Sequence, residues 1–138
     1  MKSDSVNKRI LLIDHQPYWR EISTNALREA GFTVDMLETY HDLPSQECGE
    51  EEKPELVLLG CKRIGTEEQQ LIDEVLNQKQ HLLVLCTSLS WLTMRTLFLK
   101  GVDDILDKPY NPAKLVNIVR ETLENIFGYQ TLERNGIV

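Results

Sequence analysis

Pro54-Glu-Leu-Val-Leu-Leu-Gly60 is an apolar run without alternation, entered through proline and left through glycine. Such a run fits a strand buried on both faces, which in a small domain is the middle of a parallel sheet. The chain on either side can be laid out around it. Upstream, Ile10 to Ile13 is another continuous apolar run, closed by Asp14 and His15. Pro17 suits the first turn of a helix, and Trp19, Ile22, Ala26 and Ala30 follow at three- and four-residue spacing up to Gly31, a C-terminal cap. Phe32, Val34 and Met36 alternate with polar residues, as in a strand with one less buried side. Glu38 to Lys53 holds Pro44, Gly49 and the acidic cluster Glu47, Glu50, Glu51 and Glu52, and predicts a short or irregular helix beside a solvated loop.

Downstream, Thr66 and Gln69 have the spacing of a capping box, opening a helix with Leu71, Ile72, Val75 and Leu76 on its apolar side. His81 to Thr87 carries Leu82, Leu83, Val84, Leu85 and Cys86 and predicts a fourth, buried strand. Ser90 caps a helix from Trp91 to about Lys100, ended by Gly101. Val102 to Leu106 is a short fifth strand, followed by Lys108 and Pro109. Asn111 and Pro112 open a long last helix with Leu115, Ile118, Val119, Thr122 and Ile126 on one side, and Gly128 is expected to stop it. One domain over residues 1–128 follows, with 129–138 as a tail or the start of a linker.

Parallel strands need crossovers, and right-handed crossovers cover both faces, so this alternation predicts a doubly wound α/β sheet of five strands. Its functional crevice lies outside the carboxyl ends of the strands. The residues placed there are Asp14 and His15, Gly60 and Cys61, Thr87 and Ser88, and Lys108 and Pro109.

Composition narrows the function classes. The 138 residues carry 15 basic and 22 acidic side chains, a net charge of −7, with no basic cluster, which argues against nucleic-acid binding by this domain. Cys48, Cys61 and Cys86 are odd in number and show no zinc spacing, so neither a disulfide framework nor a zinc site is expected. Met1 to Arg9 is polar, and the apolar run after it is too short for a signal-peptide core or a membrane span. A reduced, cytoplasmic setting without membrane contact is expected.

From about Lys8 to Phe127 the chain resembles the receiver domain of two-component response regulators. The resemblance rests on Arg9 to Pro17, on Pro54 to Gly60, on the Leu85 to Ser88 strand end, and above all on Gly101 to Pro109 with Asn111, Pro112 and Leu115. It implies a flavodoxin-like strand order, 2-1-3-4-5. It also implies a magnesium site after the first strand, where Asp14 and His15 stand in place of two acidic residues, and a phosphoryl-accepting aspartate where this chain has Gly60. Thr87 matches the hydroxyl residue that ends the fourth strand, and Lys108 with Pro109 matches the lysine before a cis proline. Ile105 replaces the aromatic switch residue of the fifth strand, and Ile64 replaces a proline four residues after the acceptor place.

Aspartyl phosphorylation needs a carboxylate in line with the donor phosphorus and magnesium to neutralise the oxygens. Glycine supplies no nucleophile, and imidazole is a poor magnesium ligand. The expectation is therefore a degenerate receiver with no enzymatic activity, no resident cofactor, and at most weak magnesium binding at Asp14. Asp14 is read as the ion-pair partner of Lys108, and His15 as a loop histidine with pH sensing as its alternative role. Thr87 and Lys108 are expected in a shrunken polar pocket. Cys61 and Cys86 are read as buried thiols, with a redox pair as the alternative.

Trp91 to Lys100 is more apolar than one buried stripe requires. Trp91, Met94 and Phe98 share a face suited to the core, which leaves Leu92 and Leu99 on another. The receiver resemblance implies a signalling surface on this helix, the fifth strand and the last helix. Trp91, Leu92, Thr96, Leu99 and Ile105 are the candidate contacts, with a histidine kinase or output protein as partner, or a second copy in a homodimer. Burial of both stripes is the alternative. Two further functions stay open: phosphoryl acceptance at a displaced residue such as Asp14, and ligand or redox sensing in the space near Gly60 with Cys61, Cys86 and His15.

Overall fold

In the computed structural model, which describes residues 8–39 and 53–135 and side chains as far as residue 127, β1 (Arg9–Asp14) and β3 (Leu56–Arg63) lie side by side at the middle of the sheet. They run parallel, in register from Ile10 opposite Leu56 to Asp14 opposite Gly60. β2 (Thr33–Leu37) flanks β1, and β4 (Leu82–Ser88) and β5 (Asp104–Asp107) follow β3, all parallel, in the order 2-1-3-4-5. The lack of alternation in the central run has a direct cause. Leu56 and Leu58 join one core with Ile10, Leu12 and Leu85, while Val57, Leu59 and Cys61 join another with Ile13, Val84 and Cys86. Burying each large aliphatic side chain contributes about 1.5–3 kcal/mol, so the two cores hold this strand from both sides.

Among the described residues α1 (Pro17–Glu29), α2 (Thr66–Asn77) and α3 (Trp91–Lys100) are crossovers, and α4 (Pro112–Asn135) follows the last strand. The predicted irregular helix and acidic cluster between Glu38 and Lys53, with Cys48, lie almost wholly outside the described residues. α1 buries Ser23, Thr24 and Leu27 rather than the expected Ile22 and Ala26, which are only half-buried. Its polar contact is specific: the Ser23 hydroxyl lies 2.6 Å from the Tyr110 hydroxyl inside the core. Removing one partner leaves the other unsatisfied, so Ser23→Ala is expected to cost about 1–3 kcal/mol in urea denaturation.

Burial pushes the Tyr110 phenol up to about 12, against the Ser23 bond that lowers it. A pKa raised in the folded state gives stability that is whole below pH 10 and is lost as pH rises through about 12. Tyr110→Phe is expected to remove that alkaline loss, as read by melting temperature against pH.

Four boundaries differ from the sequence reading. The central strand does not end at Gly60: β3 begins at Leu56 and runs on to Arg63. α2 begins at Thr66 with Gly65 as its cap, and the Glu68 carboxylate accepts the Gly65 N–H at 2.9 Å, so Thr66 and Gln69 are not the capping pair. β5 starts later than expected, at Asp104, because Val102 is drawn into the core below it. α4 does not stop at Gly128 but continues to Asn135, which places the expected 128/129 boundary inside a helix. Elsewhere the caps agree: Ser90 Oγ accepts Thr93 N–H, Asn111 Oδ1 accepts Ala113 N–H, and Gly101 takes the left-handed conformation, φ 114°, that ends α3.

Candidate functional site

The register between β1 and β3 brings Asp14, the last residue of β1, directly beside Gly60, three residues before the end of β3. Lys108 reaches the same point from beyond β5: its N–H donates to Cys86 O, and a cis bond to Pro109 follows. Lys108 Nζ lies 2.8 Å from Asp14 Oδ2 and 2.7 Å from Gln16 Oε1. The second carboxylate oxygen, Oδ1, accepts the Gln16 N–H at 3.0 Å, and Arg20 donates to the Asp14 carbonyl at 2.9 Å. Trp19 lies over Lys108, with Nζ 5.7 Å from the ring centroid, and packs on Tyr110. Asp14 is 0% exposed, so both ions are closed from water and bonded on the sides that face protein.

Gly60 explains how this closed arrangement fits. A Cβ at position 60 would overlap Asp14 Oδ2 and lie 2.5 Å from Asp14 Cγ and 3.1 Å from Asp14 Cβ. The Asp14 carboxylate therefore takes the space that any side chain at position 60 would need. Asp14 fills the side of Gly60 where a Cβ would stand, while the cleft expected beside Gly60, Cys61 and His15 is open, at about 340 Å³.

The expected residues separate accordingly. Asp14 and Lys108 come together; Thr87 is exposed at the end of β4, and the partner of the ion pair is Gln16 instead, with Arg20 on the Asp14 backbone carbonyl. Gln16 and Arg20 were not singled out in the sequence, where nothing marks them beyond their closeness to Asp14. His15 is exposed and lines this cleft with Glu38, Gly60, Cys61, Glu67 and Glu68.

Magnesium coordination needs several oxygen ligands with free lone pairs. Asp14 has both oxygens engaged, His15 offers imidazole and Gly60 offers nothing, so these residues do not fit the ion. Among the described residues no group of three or more His, Cys, Asp or Glu side chains could hold a metal.

The candidate interaction residues lie apart from this site. Trp91, Leu92 and Leu99 are 70%, 66% and 76% exposed, Phe98 and Thr96 are also exposed, and Ile105 is half-buried. Of the three residues expected to face the core, Trp91 and Phe98 are exposed, and Met94 alone is half-buried on that side. Leu97 makes that contact, with Thr93 and Met94 half-buried beside it, because these three share one helical face at spacings of three and four. Two large apolar residues more than expected thus face solvent, and the alternative in which both stripes are buried is excluded.

No family model matches the chain, and no curated protein matches it. Solved structures do match. A CheY-like response regulator receiver domain from Methanospirillum hungatei shares 22% identity over 86% of this chain and 94% of its own, with a TM-score of 0.72. A response regulator from Thermotoga maritima shares 19% identity over 86% and 98%, with a TM-score of 0.71. Chemotaxis protein CheY4 of Vibrio cholerae shares 17% identity over 83% and 98%, also at 0.71. The chain has the flavodoxin-like fold of receiver domains.

Proposed function

We propose that this chain is a receiver-type module of two-component signalling that works by docking to other proteins and takes no phosphoryl group at position 60. The observation that carries this reading is the Asp14 carboxylate lying over Gly60, locked to Lys108. Phosphoryl transfer needs an acceptor lone pair open to the donor. Asp14 is enclosed and bonded through both oxygens, which also counts against it as a displaced acceptor.

Incubation of the full chain with acetyl phosphate and magnesium tests the chemical half. Its intact mass is expected to stay unchanged, and an acid-labile phosphate on any aspartate would overturn it.

Docking is assigned to the exposed face of α3, with Trp91, Leu92, Thr96 and Leu99, continuing to Ile105 and the last helix. Burial of such side chains against a partner contributes about 1.5–3 kcal/mol for each one covered. The partners proposed are a histidine kinase, an output protein, or a second copy of this chain. The net charge of −7 argues against nucleic acid, and among the described residues no helix is long and apolar enough to cross a membrane. A cytoplasmic site of action is part of this proposal.

Leu92→Glu with Leu99→Glu is expected to leave the melting temperature nearly unchanged, since neither side chain is in the core. In sedimentation velocity at rising concentration the wild type is expected to self-associate and the double variant to remain monomeric. A wild type that stays monomeric throughout would remove the homodimer and leave the heterologous partner.

A further inference from the structure

Cys61 and Cys86 are direct register partners on β3 and β4, one residue beyond the Gly60–Leu85 pair. Neighbouring strands lie roughly 4.8 Å apart. That falls within the Cα separation of about 4.4–6.8 Å that a disulfide requires. Both side chains point to the same core, and the Cys61 thiol is hydrogen-bonded to the Cys86 sulfur. Both cysteines are free thiols. Cys61 also lines the cleft shared with His15, so this sulfur adjoins a route to solvent.

We propose that Cys61 and Cys86 form an oxidisable dithiol, which a hydroperoxide converts to a disulfide joining β3 to β4 beside the candidate site. The proposal stands apart from the docking reading, since it uses neither α3 nor the phosphoryl chemistry. Cys86 is the attacking sulfur; it is fully buried, so peroxide reaches it from the cleft past its register partner Cys61. Its pKa is lowered to about 7, first by the hydrogen bond from Cys61 and further by a backbone hydrogen bond at Ser88 and the Lys108 charge, against the opposing effect of burial. Cys61 is held above the usual thiol range by the same bond and by burial, and so keeps its proton.

The steps balance as follows. The Cys86 thiolate attacks the distal oxygen of hydrogen peroxide, the O–O bond breaks, and the departing hydroxide takes a proton to leave as water. Cys61 sulfur then attacks the Cys86 sulfenic acid, forming the S–S bond. Hydroxide leaves from sulfur and takes the Cys61 proton, again as water. Two thiols are oxidised and one peroxide is reduced.

The test uses the full chain carrying Cys48→Ser, which removes the third cysteine without touching the pair. Under native conditions with hydrogen peroxide, the intact mass is expected to fall by two hydrogens, and peptide mapping to join the Cys61 and Cys86 peptides reversibly with a thiol reductant. Cys61→Ser in this background is expected to leave a sulfenic acid on Cys86 that dimedone traps. If that variant does not fold, the mass and mapping of the Cys48→Ser protein decide alone. Retention of both thiols at a peroxide concentration that oxidises the denatured chain would overturn the proposal. Independent overoxidation of either sulfur without the link would overturn it equally.

Discussion

Gly60→Ala is expected to destabilise the chain by about 3 kcal/mol, although it adds only one methyl group to a residue of β3. The new Cβ would stand 2.5 Å from Asp14 Cγ, and Asp14 has no slack, because Gln16 holds one oxygen and Lys108 the other. Gly60→Asp is expected to be worse than Gly60→Ala. It adds the same Cβ and brings a second carboxylate against a buried one, with Lys108 as the cation already shared. Restoring an aspartate at this position by itself therefore does not restore an acceptor site.

The clash is with one residue, which makes the expectation separable from a general intolerance of the strand. Asp14→Gly in the Gly60→Asp background removes the obstructing carboxylate and leaves one acid facing Lys108. Its urea midpoint is expected to recover toward wild type, with a coupling energy of about 2 kcal/mol in the double-mutant cycle. A Gly60→Ala protein as stable as wild type would show that Asp14 moves aside freely, and the reading of the site would fail with it.

The sheet was legible because burial on both faces leaves a mark in composition. Leu56 to Leu59 and Leu82 to Leu85 carry no alternation, and Ser90, Gly101 and Asn111 are local caps that act through their neighbours in sequence. Helix faces were read less well. In α1 the buried positions include Ser23 and Thr24, whose polarity is met by Tyr110 and by the Met36 sulfur, contacts that no period in hydrophobicity announces. In α3 the apolar side chains outnumber the core positions, so spacing alone could not choose between Trp91 and Leu97. The pairing of Asp14 with Lys108 could be expected from strand-end placement. The filling of the space over Gly60 could not, because it depends on the Cβ direction of one strand and the rotamer of its neighbour.

Lys108→Met is expected to cost about 3–5 kcal/mol, the usual loss when one member of a buried ion pair is removed and the other stays charged. Asp14→Asn should cost a similar amount by stranding Lys108, whose remaining acceptor is the Gln16 amide oxygen. The loss should be nearly independent of salt, since neither ion meets solvent, whereas Arg9–Asp35 and Lys100–Asp73 are exposed pairs and screened. The same desolvation that makes a lone charge costly means that the pair itself adds little net stability. Lys108→Met combined with Asp14→Leu is therefore expected to regain most of the loss. What the apolar pair cannot replace is direction. Asp14 Oδ1 fixes the Gln16 N–H and Lys108 Nζ fixes the Gln16 side chain, so the start of α1 is tied to the residues after β5 through this one ion pair. Amide exchange at Gln16 is expected to quicken in the double variant even as global stability returns. If it stays at the wild-type rate while stability returns, the pair has no positioning role.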